Sequence, residues 1–251
     1  MHEAKRALIM AAGTGKRMRP LTLTTPKPLV QVNGVRMIDT VIQALQQNGI
    51  FDIYIVVGYL KEQFAILQDM YDGIHFIENP YFACSNNISS LYVAREYLGE
   101  CVIVDGDQMV YRPQIFERYF SKSCYCCRWT KEQTDEWLLE LHADRVTGCS
   151  RTGGSMGWQL YSVSFWTKED GKRLGHHLEL EFEKKKNDQI YWDDVALFCY
   201  PQEYDLGIRK IRKGDLAEID SLKELAQIDS RYQHLVEAGK EQEQCRKIEK
   251  H

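Results

Sequence analysis

No apolar run in the 251 residues approaches the roughly 20 that a membrane-spanning helix needs, so insertion into a bilayer is not expected. The opening MHEAKRALIM is too short, and too soon followed by glycines, to act as a secretory signal, and a cytoplasmic location is the expectation. A bulk basic field is missing as well. Charged residues make up 27% of the chain but the formal net charge is -4, so nucleic acid is not an expected partner and any affinity for anions has to be local. The seven histidines form no Ser-His-Asp or Cys-His set that would activate a nucleophile. Eight cysteines are present, yet no CxxC pair with a second pair or spaced histidines completes a zinc site. Cys124, Cys126 and Cys127 in CYCCRW therefore read as part of a strand, with free thiols as expected in a cytosol. There is no internal repeat and no low-complexity linker. The length suits one large α/β domain.

What is present begins at Ala7. Ala7 to Ala12 is a short apolar run that stops abruptly at Gly13, as a buried parallel strand does at its carboxyl end. Gly13 and Gly15 lack a β-carbon, so the backbone there can turn sharply and bring N–H groups against an anion. Lys16, Arg17, Arg19 and Lys27 surround the loop with positive charge, which suits a polyphosphate. The loop is not a Walker motif, because the upstream glycine is missing and Arg17 stands in the hydroxyl position. Nor is it a dinucleotide fingerprint, since Met18 replaces the third glycine. Taken alone, the two glycines are equally compatible with an ordinary strand-to-loop turn.

Downstream, Met37 to Asn48 has helical apolar spacing with Gly49 as a stop, Phe51 to Tyr59 is a strand, Lys61 to Met70 a helix and Ile74 to Glu78 a strand. This alternation predicts a mostly parallel, Rossmann-like mixed sheet with helices on both faces. A helix follows the polar NPYFACSNN, with Ser89 or Ser90 as its N-cap, and the apolar strand Cys101 to Val104 stops at Asp105-Gly106-Asp107. Beyond Phe120 the pattern becomes strand-rich and predicts an antiparallel or mixed extension that forms the acceptor side of a cleft. Residues 1–120 are thus expected to form a nucleotide-binding core and 121–200 an acceptor-binding extension. Residues 201–251 are expected to supply returning strands, a metal ligand and C-terminal helices ending in a solvated helix or frayed tail.

Ligands of open parallel sheets bind beyond the carboxyl ends of the strands, where Gly13, Asp105 and Asp107 should converge. Acidic residues at a strand end beside a phosphate loop suit Mg²⁺, although V-D-G-D is also simply a tight turn. Asp220 in A-E-I-D-S ends another short strand and is either a second ligand or an N-cap. Five tryptophans are present, two of them next to acids, in Asp135-Glu136-Trp137 and Tyr191-Trp192-Asp193-Asp194. Aromatic faces beside a carboxylate hold a quaternary ammonium well, whereas a single tryptophan is more often core.

The string A-A-G-x-G-x-R-M-x-P-L-T-x-x-x-P-K-P-L resembles the N-terminal signature of the nucleoside-triphosphate transferase family. The succession PKPLVQVNG, VVGYLKEQF, NNISSLY, VDGD, TDEWLL, SVSFW, YWDD and EIDS is similar to the bacterial CTP:phosphocholine cytidylyltransferases over nearly the whole chain. That resemblance implies transfer of CMP from CTP to phosphocholine, giving CDP-choline and pyrophosphate. It implies that Ala11, Ala12, Gly13, Thr14, Gly15, Lys16, Arg17, Lys27, Asn86, Asn87, Ser89 and Asp105 bind the nucleotide, and that Lys27, Arg17 and Asp107 are catalytic. Asp107 and Asp220 would hold Mg²⁺, and Trp137, Tyr191, Trp192 and Asp193 would cage the choline. A phosphate monoester is already anionic at neutral pH, so no general base is required. Rival expectations are a sugar-phosphate or aminoalkyl-phosphonate nucleotidyltransferase and a nucleotide-binding regulatory module without turnover. The oligomeric state is left open.

Overall fold

Four apolar stretches make the parallel centre of the sheet in the computed structural model, which describes residues 1–237. They are Arg6–Met10 (β1), Asp52–Val57 (β2), Ile74–Glu78 (β3) and Cys101–Asp105 (β4). β1 lies between β2 and β4, and β3 flanks β2, all of them parallel. Leu8, Ile9, Val102 and Ile103 are almost fully buried, which is why these strands read as continuous apolar runs and not as alternating ones. Ile9, Val102 and Val104 pack on one face of the sheet with the helix Met37–Gln47; Leu8 and Ile103 pack on the other with Leu91 and Leu174. The predicted apolar face of the first helix is the buried one, formed by Met37, Ile38, Val41, Ile42 and Leu45, and Gly49 follows its end with φ +77°.

Two pairings position the site. Met10 is opposite Asp105 in the register of β1 and β4, and the Gly106 N–H donates to the Met10 carbonyl at 2.9 Å. The glycine loop and the Asp105-Gly106-Asp107 turn therefore leave the sheet side by side. The chain next forms Gln108–Val110 (β5), which later pairs antiparallel with Leu216–Glu218, so that Gln108 stands opposite Glu218 and Asp107 opens toward Asp220.

The region after residue 120 is antiparallel to the core where it joins. Its strands are Cys124–Thr130 (β6), Leu138–His142 (β7), Arg145–Ser150 (β8) and Gly157–Trp166 (β9). β9 joins the two parts, since Val163–Trp166 pairs with β4 while Trp158 and Gln159 pair with β7. Gly207–Lys210 (β10) adds parallel to β6, and Leu216–Glu218 is β11. CYCCRW is indeed strand, with Cys124, Cys126 and Cys127 buried. The helices expected over 168–183 and 190–198 form as Lys168–Leu178 and Trp192–Asp194, each continued by wider π turns.

The predicted N-cap at Ser89 or Ser90 is not found. The helix starts at Ile88 after Asn87, and the Ser89 and Ser90 hydroxyls instead accept from the Asn79 amide at 3.0 Å. At the late helix Leu222–Ile228 the cap is Ser221, reciprocated by Glu224, and not Asp220. The expected C-terminal tail lies almost entirely outside the described residues. Among the described residues no helix is long and apolar enough to cross a membrane.

Candidate active site

A cavity of about 970 Å³ opens beyond the carboxyl ends of β1 and β4. The glycine loop forms one wall. Gly15 has φ +59°, and a β-carbon on it would meet Thr22 Cγ2 at 2.9 Å and Lys27 Cβ at 3.0 Å. The Thr22 hydroxyl donates to the Gly15 carbonyl at 2.8 Å, so the turn is fastened to the segment that carries Lys27. A β-carbon on Gly13 would touch nothing, because that position faces open space. Met18, Val30, Val32 and Met37 pack with Met109, Ile219 and Leu225, which ties the loop to the strands that carry Asp107 and Asp220.

Lys27 is buried and its ammonium bridges two carboxylates, Asp107 on one side and Asp220 at 2.7 Å on the other. Burial alone would lower the Lys27 pKa, but the two carboxylates outweigh it and hold the ammonium well above the usual lysine range. Arg17 reaches the same Asp220 oxygen at 2.9 Å from the exposed side. Asp107, Glu218 and Asp220 bring one oxygen each to within 4.8 Å of one another. Glu218 was not expected from the sequence, although its alternation with Asp220 in E-I-D places both on one side of an extended chain. Burial, then repulsion from Asp107 and Asp220, pushes the Glu218 carboxyl well up. Asp105 is raised for the same reasons, burial first and Asp107 next. Asp107 Oδ1 is buried and has no hydrogen-bond partner among the described residues. Three hard oxygen donors, one of them unsatisfied, suit a divalent cation such as Mg²⁺.

The opposite wall comes from the extension. Trp137 and Tyr191 meet edge to face, with ring centres 5.7 Å apart at 88°, and both line the cavity. The Phe198 ring and the Arg151 guanidinium sit behind Trp137, with the guanidinium 3.9 Å above the Phe198 centre and paired to Asp194. Asp193 lines the cavity but is only 8% exposed, and its Oδ1 has no hydrogen-bond partner among the described residues. Burial pushes its pKa up to about 8; the Tyr125 hydroxyl works the other way and Asp194 adds to the rise.

Trp192 corrects the expected choline cage. It is 1% exposed and packs against Tyr125 and Trp166 in the core, because the short helix that starts at Trp192 turns it inward while its N-cap, Tyr191, stays at the surface. Asn86, Asn87 and Ser89 do line the cavity, yet much of their bonding is internal. The Asn87 amide oxygen accepts from the Trp192 N–H at 3.0 Å, the Asn86 amide donates to the Gln189 carbonyl at 3.1 Å, and the Ser89 hydroxyl donates to the Asn86 carbonyl at 2.8 Å. They fasten the wall formed by the extension to the core. Ala11, Ala12, Thr14, Lys16 and Asp105 also line the cavity.

A glycine loop at the carboxyl end of a central parallel strand, facing carboxylates at the ends of two other strands, places the cavity where an open α/β sheet binds its ligand. The family described as MobA-like NTP transferase domain matches residues 7–148, and the chain belongs to it. The chain is 39% identical over 236 residues to the 2-aminoethylphosphonate cytidylyltransferase of Lancefieldella rimae, a match that covers 93% of this chain and 96% of that one. To the choline-phosphate cytidylyltransferase of Streptococcus pneumoniae it is 32% identical, over 89% and 96% of the two chains. The solved structure of the CTP:phosphocholine cytidylyltransferase from Streptococcus pneumoniae superposes with a TM-score of 0.84 at 32% identity and covers 90% of this chain. Within the family the protein thus falls among the cytidylyltransferases.

Proposed function

We propose that the protein transfers CMP from CTP to the phosphonate or phosphate oxygen of a short acceptor that carries a primary ammonium group. The observation that carries this reading is Asp193, a buried carboxyl group at the cavity wall with one oxygen that has no hydrogen-bond partner among the described residues, which a cation bound beside it would hold ionised. A primary ammonium donates hydrogen bonds and would satisfy that oxygen; a quaternary ammonium donates none and depends on aromatic walls. Only Trp137 and Tyr191 of the three expected aromatics face the cavity. The relative from Lancefieldella rimae supports the same choice. Phosphocholine is the second reading, favoured by the edge-to-face corner of Trp137 and Tyr191 and by the streptococcal relative.

In the reaction an acceptor oxygen bonds to the α-phosphorus of CTP as the bond to the bridging oxygen breaks, and pyrophosphate leaves with the electron pair. The acceptor is already anionic, so the difficulty is to bring two anions together, and the protein needs to supply positive charge more than a base. The N–H groups of the Gly13 to Arg17 loop would receive the triphosphate. Lys27 and Arg17 line the same wall and would screen the α-phosphate and the departing pyrophosphate. Asp107, Glu218 and Asp220 would hold a Mg²⁺ ion, which when bound adds positive charge at the phosphates. Trp137, Tyr191 and Asp193 would orient the amine so that its phosphonate points at the nucleotide.

Pyrophosphate release with Mg²⁺ tests the reading, crossing CTP, UTP and ATP against 2-aminoethylphosphonate, phosphocholine and glucose 1-phosphate. CTP with 2-aminoethylphosphonate should give the highest kcat/KM. A higher value with phosphocholine would transfer the conclusion to the second reading, and turnover only with glucose 1-phosphate would refute both.

A further inference from the structure

The molecule has a second cleft, of about 440 Å³, that shares no lining residue with the catalytic cavity. It lies at the outer end of β6 and β9, where Trp129 and Trp158 are paired in register with ring centres 5.2 Å apart. Among the described residues Arg128, Lys131, Lys210, Arg212 and Lys213 line it with a single acid, Glu132, although the chain as a whole is negative. Lys213 is paired to Glu132 at 3.1 Å, while Lys131, Lys210 and Arg212 make no ion pair among the described residues. The Lys210 ammonium lies 5.2 Å from the Trp158 ring centre, and Trp129 remains 44% exposed.

A cross-strand tryptophan pair alone would be ordinary sheet stabilisation, and scattered lysines would be a solvated surface. Here the two coincide in a concave site with an aromatic face left open and several cations unspent. That combination matches a ligand with a flat ring at one end and phosphates at the other, and the volume is within the usual range for a small-molecule site. We propose that this cleft is a peripheral binding site for a nucleoside 5′-di- or triphosphate, with the base on Trp129 and the phosphates on Lys131, Lys210 and Arg212.

Equilibrium dialysis with CDP at low salt, without acceptor, tests it on the wild type, on a Lys210→Glu/Arg212→Glu double variant and on Trp129→Ala. The wild type should bind CDP at two classes of site, the weaker one falling steeply with salt. The double variant should lose the weaker class by about tenfold or more, as expected when phosphate contacts are reversed in sign, and keep the stronger one. Trp129→Ala should weaken the same class for CDP while leaving its affinity for pyrophosphate unchanged, because only the base has lost its platform. Turnover at saturating substrates should stay near the wild-type value in both variants, which separates this result from any failure of the catalytic reading. A single class of site in the wild type would overturn the proposal, as would a weaker class that survives in both variants. Tighter binding of oligouridylate than of CDP would overturn it as well, by assigning the cleft to single-stranded RNA.

Discussion

Lys27 and Asp193 are both buried ionisable residues, but they are compensated in opposite ways. Lys27 sits between two carboxylates and keeps its charge, whereas Asp193 has an unpartnered oxygen and holds a proton to about pH 8. If Lys27 and the Asp107 cluster supply the charge that stabilises the transition state, Lys27→Ala and Asp107→Ala should each lower kcat by about 10² to 10³, equivalent to about 3 to 4 kcal/mol. Near-normal turnover in either variant would contradict the roles given to them. For Asp193 the sign of the pH effect is fixed by the direction of the shift. Its pKa in the folded protein, about 8, lies above its ordinary value of 3.8, so the native state retains a proton that the unfolded chain has released. Stability from this group is therefore present below about pH 4 and is lost as pH rises toward 8. Asp193→Asn removes the loss. Thermal unfolding should show the variant more stable than wild type at pH 8.5 and nearly equal to it at pH 4; equal Tm values at both pH values would contradict the burial argument.

Among the elements, the glycine loop allows shape and function to be separated. Gly15 needs its positive φ and lies against Thr22, so Gly15→Ala should destabilise the fold by about 1 to 3 kcal/mol and also raise KM for CTP by displacing Lys27. Gly13 faces open space, so Gly13→Ala should leave Tm unchanged and raise only KM for CTP, if that space receives phosphate. An unchanged KM in Gly13→Ala would place the triphosphate elsewhere. These features were legible in the sequence because each is local: an apolar strand, an abrupt glycine, an acid after the next apolar strand. Features that depend on distant pairing were not. Glu218 joins the acidic cluster because β11 pairs with β5, 110 residues earlier, and no local pattern encodes that register. Trp192 looked like a cage residue beside Tyr191 and Asp193, but neighbours in a sequence point in different directions once a helix starts at that position. The resemblance places Asn86 and Asn87 at the nucleotide, and their bonds to Gln189 and Trp192 appear only when residues about 100 positions apart meet.

At the scale of the whole molecule, the parallel core and the antiparallel extension meet along β4 and β9, and the cavity lies where they join. One side of that join carries the glycine loop and cations, which the proposed reaction would use for the triphosphate, and the other carries an aromatic corner and a buried acid, which it would use for the amine. The Rossmann-like core and strand-rich extension followed from the order of apolar runs, since strand and helix periodicities survive without tertiary information. Acceptor choice did not, because it depends on which of several nearby aromatics turns inward. The most direct measurement is therefore the ratio of kcat/KM for 2-aminoethylphosphonate to that for phosphocholine, in the wild type and in Asp193→Asn. An ammonium bound at Asp193 displaces its proton and pairs with the carboxylate, which Asn cannot supply, so the account predicts a ratio above one in the wild type and a fall of about tenfold or more in the variant, with KM for CTP unchanged, the size expected for loss of a charge-assisted hydrogen bond. A wild-type ratio below one, or an equal loss for both acceptors, would contradict it.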